Sequence, residues 1–144
     1  MNRIEKALDV YRQTFNCSQS LFVAFRQPDL LDEPSALKLA CVFGAGVACT
    51  GGTCGAVSGA LMAISMRHGR GDVASVDAKT KTYQLGREFM DSFRQRNGSC
   101  VCEELLGMNI GLPENMAKAQ EQRLFQTKCL ALVKSAAEIL DPML

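Results

Sequence analysis

The residues best able to do chemistry in this chain are Cys17, Cys54, Cys102 and Cys129, because each lies within a predicted first helical turn. Asn16 stands directly before Cys17 and Thr53 before Cys54, while Ser99 lies three residues before Cys102 and Thr127 two before Cys129. Asn, Ser and Thr favour helix starts, where a side-chain oxygen accepts from an otherwise free amide. The free N–H groups and aligned peptide dipoles of such a start stabilise negative charge. A cysteine placed there is expected to have a lowered pKa and to serve as a nucleophile or metal ligand. Each thiol also opens an apolar stripe at helical spacing: Leu21, Ala24 and Phe25 after Cys17; Val57 and Leu61 after Cys54; Leu105 and Leu106 after Cys102; Leu132, Val133, Ala136, Ala137 and Leu140 after Cys129. This spacing turns all four thiols inward, where they are able to meet.

Three kinds of chemistry fit four such thiols. Each helix start carries roughly +0.5 charge, so four converging starts would supply about +2. A four-thiolate site around zinc, or around an oxidised two-iron, two-sulfur cluster, carries a net charge of about −2. Structural zinc sites are usually built from close C-x₂₋₄-C pairs, and these four cysteines contain none. An iron–sulfur cluster accepts ligands from separate helices and gains from N–H groups aimed at its sulfurs, yet the closely spaced ferredoxin runs are missing too. The third option is metal-free thiol exchange, with Cys54 as the attacking thiolate and Cys102 as a second redox thiol. Spacing alone leaves the cofactor open. Of the other three cysteines, Cys41 is expected to be a small buried hydrophobe in mid-helix. Cys49 and Cys100 read as spare ligands, resolving thiols or accidents.

Other chemistries are weakly supported. A formal net charge of +1 with 22% charged residues provides no field for nucleic acid or an anionic membrane. The glycine-rich stretch Gly44 to Thr53 has neither a dinucleotide fingerprint nor a Walker pattern. His68, the single histidine, reads as a solvated residue near a helix end, Ser58 lacks triad partners, and Glu103 with Glu104 suits the first turn of a helix. The weakly charged stretch from Leu39 to Met66 is long enough to span a bilayer but is broken by glycines, so no transmembrane segment is expected. No secretory leader is evident, and seven cysteines in a reducing compartment point to metal or redox work; the expected location is cytoplasmic.

The elements that must position the thiols are all helical. Ile4, Leu8, Tyr11 and Phe15 mark a first amphipathic helix from Arg3 to Phe15, and a second runs from Asn16 toward Phe25. Glu33, Pro34 and Ser35 open a third, which carries Leu37, Ala40, Cys41 and Phe43. Cys54 begins an apolar helix ending near His68, in which Gly55 and Gly59 invite close approach of another backbone. Val76, Tyr83, Met90 and Phe93, with Phe89 beside them, give a long helix ended by Asn97 and Gly98. A short helix from Cys102 to Leu106 is closed by Gly107, Pro113 starts a polar segment, and Lys128 to Leu140 forms the last helix. No stretch alternates with period two. The expectation is one all-α domain over residues 1–144, a bundle of about five to seven helices without a sheet.

The run Asn16-Cys17-Ser18-Gln19-Ser20, the segment Thr53-Cys54-Gly55-Ala56-Val57-Ser58-Gly59-Ala60-Leu61-Met62, the turn Asn97-Gly98-Ser99 before Cys102-Glu103-Glu104-Leu105-Leu106-Gly107, and Cys129 with Val133 resemble the C_GCAxxG_C_C family. That family is described as small redox-active proteins with four characteristic cysteines around a CGAxxG motif. The resemblance covers nearly the whole chain. It implies a helical, bacterial, redox-associated protein, whose relatives occur alone and alongside cytochrome modules. Carried over residue by residue, it makes Cys17, Cys54, Cys102 and Cys129 the functional thiols and Gly55, Ala56 and Gly59 the backbone part of the central motif. Cys41, Cys49 and Cys100 depart from the pattern. The combined expectation is an iron–sulfur cluster, two-iron, two-sulfur, held by the four cysteines with Gly55 and Gly59 in the binding set. Electrons would pass to a redox partner protein or a small donor or acceptor. Metal-free thiol redox chemistry and a helical module with a structural zinc stand as alternatives. The apolar helix after Gly55 is either wholly internal or shared in a homo-oligomer.

Overall fold

A computed structural model describes all residues, 1–144, as eight α-helices with no sheet. They are α1 (Arg3–Arg12), α2 (Cys17–Phe25), α3 (Glu33–Ala40), α4 (Gly55–His68), α5 (Val76–Asn97), α6 (Cys102–Leu106), α7 (Pro113–Glu121) and α8 (Leu130–Leu140), with short 3₁₀ turns at Cys41–Phe43 and Asp141–Met143. Eight is one more than the upper bound expected. The additional helix is α7, the polar segment after Pro113, and Thr14, with a φ of 76°, ends α1 before Phe15. No helix is long and apolar enough to cross a membrane.

The start of α2 shows how the sequence fixes local structure. Asn16 caps the helix by accepting from the Gln19 amide at 2.9 Å, and the Gln19 side chain accepts from the Asn16 amide at 3.0 Å. This reciprocal capping satisfies two amides that a helix start leaves free. The same polar side chains then serve the end of α3. Ser18 donates to the Ala40 carbonyl at 2.7 Å, Gln19 to Leu37 at 3.0 Å and Asn16 to Cys41 at 2.9 Å. Buried Ser18, Gln19 and Ser20 are therefore all partnered, as burial without a partner would cost about 1 to 3 kcal/mol each.

α4 is the central helix. It packs on α2, α5 and α8, and Ala56, Val57, Ala60, Ala63 and Ile64 lie in the main core with Phe25, Phe89 and Phe93. Its small residues let α2 come close. A methyl placed on Gly59 would stand 2.5 Å from the Ser18 carbonyl oxygen and 2.9 Å from the Ser18 Cα. The predicted stripe of α8 is buried as expected, with Leu132, Val133, Ala136, Ala137 and Leu140 all inside. The long helix is buried only over its second half. Val76 and Tyr83, expected on its apolar face, are each 58% exposed because no other helix covers that end of α5.

Two glycine substitutions should therefore act in opposite directions. Gly59→Ala meets backbone that cannot move aside, and a loss of about 2 to 3 kcal/mol is expected. Gly86→Ala in α5 meets only the tip of Leu61 at 3.5 Å and should gain up to about 1 kcal/mol from helix propensity. Urea unfolding of the two variants measures both signs.

Candidate four-cysteine site

Cys17, Cys54, Cys102 and Cys129 line one cavity of about 620 Å³. Three routes bring them there. Cys17 is the first residue of α2, held by the Asn16 cap, and Cys54 is the residue from which α4 starts. Cys102 arrives by a short antiparallel pairing of two loops: the Cys54 amide donates to the Cys100 carbonyl at 2.8 Å, Cys102 to Gly52 at 2.6 Å and Glu103 to Gly51 at 3.1 Å. Cys100 enters the main core, while Cys102, already the first residue of α6, faces the cavity. The two cysteines thus belong to different clusters of the core.

Cys129 departs from expectation. It does not open a helix but closes a π-helical turn, Phe125–Cys129, that runs on into α8. Its amide is engaged by the Leu124 carbonyl, five residues back, at 2.9 Å. Single π turns recur at functional sites because the extra residue re-aims a side chain. No residue pattern marks this turn in advance. Tyr11, which sequence reading assigned only to the amphipathic face of the first helix, anchors it by donating from its hydroxyl to the Phe125 carbonyl at 2.7 Å.

Gly55 lines the cavity as well. Gly59 does not, since its missing side chain serves the contact with α2. Gly46 forms part of the wall: at φ 70°, a methyl on it would stand 2.5 Å from the Gly52 nitrogen and 2.8 Å from the Cys102 Cβ. Cys41 and Cys49 are exposed and Cys100 is buried, all three outside the cavity lining. The exposure of Cys41 corrects the expectation of a buried thiol, because α3 ends at Ala40 and the following 3₁₀ turn faces outward.

Electrostatics overturn the expectation that helix starts would make these thiols acidic. Burial pushes Cys54 up to about 11, partly offset by hydrogen bonds from the Ala56 and Val57 amides. Burial pushes Cys102 up to about 12, and the nearby Cys54 and Cys129 add to the rise. The amides of Cys102 and Glu103, which would have favoured a thiolate, are already bonded to the glycine-rich loop. Cys17 lies well above the ordinary thiol value, held there by its neighbour Cys129, by burial and by the other two thiols. Cys129 alone is lowered, through hydrogen bonding from Cys17, with Tyr11 and the Lys128 charge assisting. The mutual influence of all four thiols shows that they form one electrostatic unit.

Residues 15–143 match the family described as "Putative redox-active protein (C_GCAxxG_C_C)". The chain belongs to the C_GCAxxG_C_C family. No curated protein and no solved structure matches it. The span includes all four cavity cysteines, whereas Tyr11 lies just outside it.

Two outcomes follow for the metal-free C_GCAxxG_C_C protein. A thiol that holds its proton more tightly when folded than its unfolded value of 9.0 stabilises the fold below pH 9, and that stability is lost as pH rises toward 11 and 12. Cys54 alone should account for on the order of 3 kcal/mol. The urea midpoint should fall steeply above pH 9, and less steeply in Cys54→Ser. In a separate measurement, peptide mass mapping after brief iodoacetamide treatment at neutral pH should find Cys41 and Cys49 modified first and Cys54 last.

Proposed function

We propose that Cys17, Cys54, Cys102 and Cys129 together hold an iron–sulfur group, of the two-iron, two-sulfur kind, and that the protein passes electrons through it. The observation that carries this reading is the convergence of four thiols, from four separate parts of the chain, on one cavity. The donor set fits the group. No carboxylate or histidine lines the cavity, and an all-sulfur set of soft donors suits iron–sulfur clusters or zinc. Structural zinc sites are usually built from close C-x₂₋₄-C pairs, which these four cysteines lack, and this favours a cluster over one zinc.

Such a group supplies one-electron transfer when bound. The chain's own part is to exclude water with Leu105, Leu106, Ile110 and Phe125 and to aim the Ala56 and Val57 amides at the Cys54 sulfur. Hydrogen bonds to cluster sulfurs raise the reduction potential, and a dry chamber strengthens their effect. Electrons would be exchanged with a redox partner protein or a small donor or acceptor.

One observation favours a second reading. Cys17 hydrogen-bonds to Cys129, which raises the first thiol and lowers the second, an asymmetry that suits a dithiol for exchange. On that reading the reactive pair is Cys17 with Cys129, while the high values of Cys54 and Cys102 leave those two protonated. Iron and acid-labile sulfide, assayed with the visible spectrum on protein made without oxygen, separate the two. Matching iron and sulfide with a band that bleaches on reduction is the expected result, lost in Cys54→Ser. Metal-free protein with a reversible two-proton mass change would establish thiol exchange instead.

A further inference from the structure

The cavity is much larger than the group proposed for it. Four metal and sulfide atoms at about the volume of a water each, roughly 30 Å³, need on the order of 120 Å³. The cavity measures about 620 Å³. That volume lies in the range of small-molecule sites, about 300 to 1,000 Å³, which are mostly apolar with a few placed polar groups. Here 14 of the 20 lining residues are hydrophobic. Empty apolar space of this size would be costly if it served only packing, because each unfilled region forfeits contact energy.

Charge around the cavity is one-sided. Arg12 is the only charged residue among the lining, and none of the chain's four ion pairs uses it. It stands with Thr14 and Gln126, all exposed, where the end of α1 and the π turn leave the cavity open. Asp and Glu are absent from the lining, so no carboxylate side chain opposes an anion at the mouth, and Arg12 there offsets part of the negative charge of the metal–sulfur group. Deeper in, Phe15, Leu106, Ile110, Met116 and Leu132 offer only apolar contact.

We propose that this cavity binds a small, mainly apolar organic anion, its apolar body inside against Leu106 and Met116 and its anionic group at the mouth on Arg12. The proposal rests on the metal–sulfur reading, because it concerns the room left beside that group. It makes the bound molecule the partner within reach of the four sulfurs. An uncharged, apolar wall takes the body of such a ligand, and a guanidinium donates paired hydrogen bonds to its carboxylate or sulfonate.

Two fluorescent probes test this on iron-loaded protein: anilinonaphthalene sulfonate, an apolar anion, and N-phenylnaphthylamine, its neutral counterpart. Both should bind the native protein. Arg12→Gln should weaken the sulfonate on the order of tenfold and leave the neutral probe unchanged, which also shows that this surface variant folds. Met116→Trp should abolish both by filling the cavity, with circular dichroism confirming retained helix. If iron-loaded protein binds neither probe, the metal group fills the chamber and the proposal is overturned. Unchanged binding in Met116→Trp would place the probes elsewhere, and an Arg12→Gln effect that fails to distinguish them would remove the anion; either overturns it. Iron and sulfide analysis of the same preparation reports separately on the metal–sulfur reading, so its failure is recognised without the probes.

Discussion

The site depends first on how closely α4 approaches α2. Gly55 and Gly59 remove the side chains that would hold the helices apart. A methyl on Gly55 would lie 3.0 Å from the Ser18 amide nitrogen and 3.2 Å from the Cys17 Cβ. That contact sets Cys17 and Cys54 at the head of two helices in van der Waals register. Ser18 makes the approach tolerable, because its hydroxyl is small and is satisfied by the Ala40 carbonyl. One backbone contact thus fixes two of the four thiols, and the loop pairing at Thr53 and Val101 adds the third relative to them.

Two opposing electrostatic effects meet at these thiols, and burial wins. The helix start is felt at Cys54, where two amides donate to sulfur, yet removing a thiolate from water costs more than the amides return. The thiols of the chamber are therefore predominantly neutral. The metal group proposed above would reverse the balance, since a coordinating thiol is deprotonated by the ion's own charge. The amides that do not suffice to make a thiolate would then stabilise the ligated sulfur.

Legibility of the sequence followed the locality of the signal. Helix starts and stops were readable where a cap or a left-handed glycine acts within one turn, as at Asn16, Pro34, Gly98 and Gly107. The inward faces of α2 and α8 were readable from period, and the four cysteines from their placement on those faces. Cys129 was found for a reason that proved wrong. Thr127 does not cap a helix, and the inward stripe after Cys129 did the work instead. The burial of Cys41 and of the first half of α5 was misread, because exposure there depends on which helix fails to cover a surface, and no local pattern encodes that. Tyr11 escaped notice as a site residue because its partner carbonyl belongs to Phe125, 114 residues away.

Two irregular segments flank the chamber, and each has a geometric reason. A regular helix through Phe125 would continue the stripe that sends Leu132 and Val133 into the main core. The additional residue of the π turn rotates what precedes it by about 100°, while Cys129 stays in register with Leu132, which lines the chamber beside it. Across the chamber, Ala45, Gly46, Val47, Ala48 and Cys49 all have positive φ, between 52° and 70°. For the four that carry a Cβ this costs roughly 1 to 2 kcal/mol each. The segment is held by Ala48 donating to the Val42 carbonyl at 2.8 Å, Gly52 to Gly46 at 2.8 Å, and the Thr50 hydroxyl to Gly46 and Val47. A right-handed turn would lead the chain away from α6. The left-handed one brings Gly46 against Cys102 and delivers the Gly51 and Gly52 carbonyls to the α6 amides. The glycine-rich stretch is thus a wall whose strain is held beside the cysteine it positions.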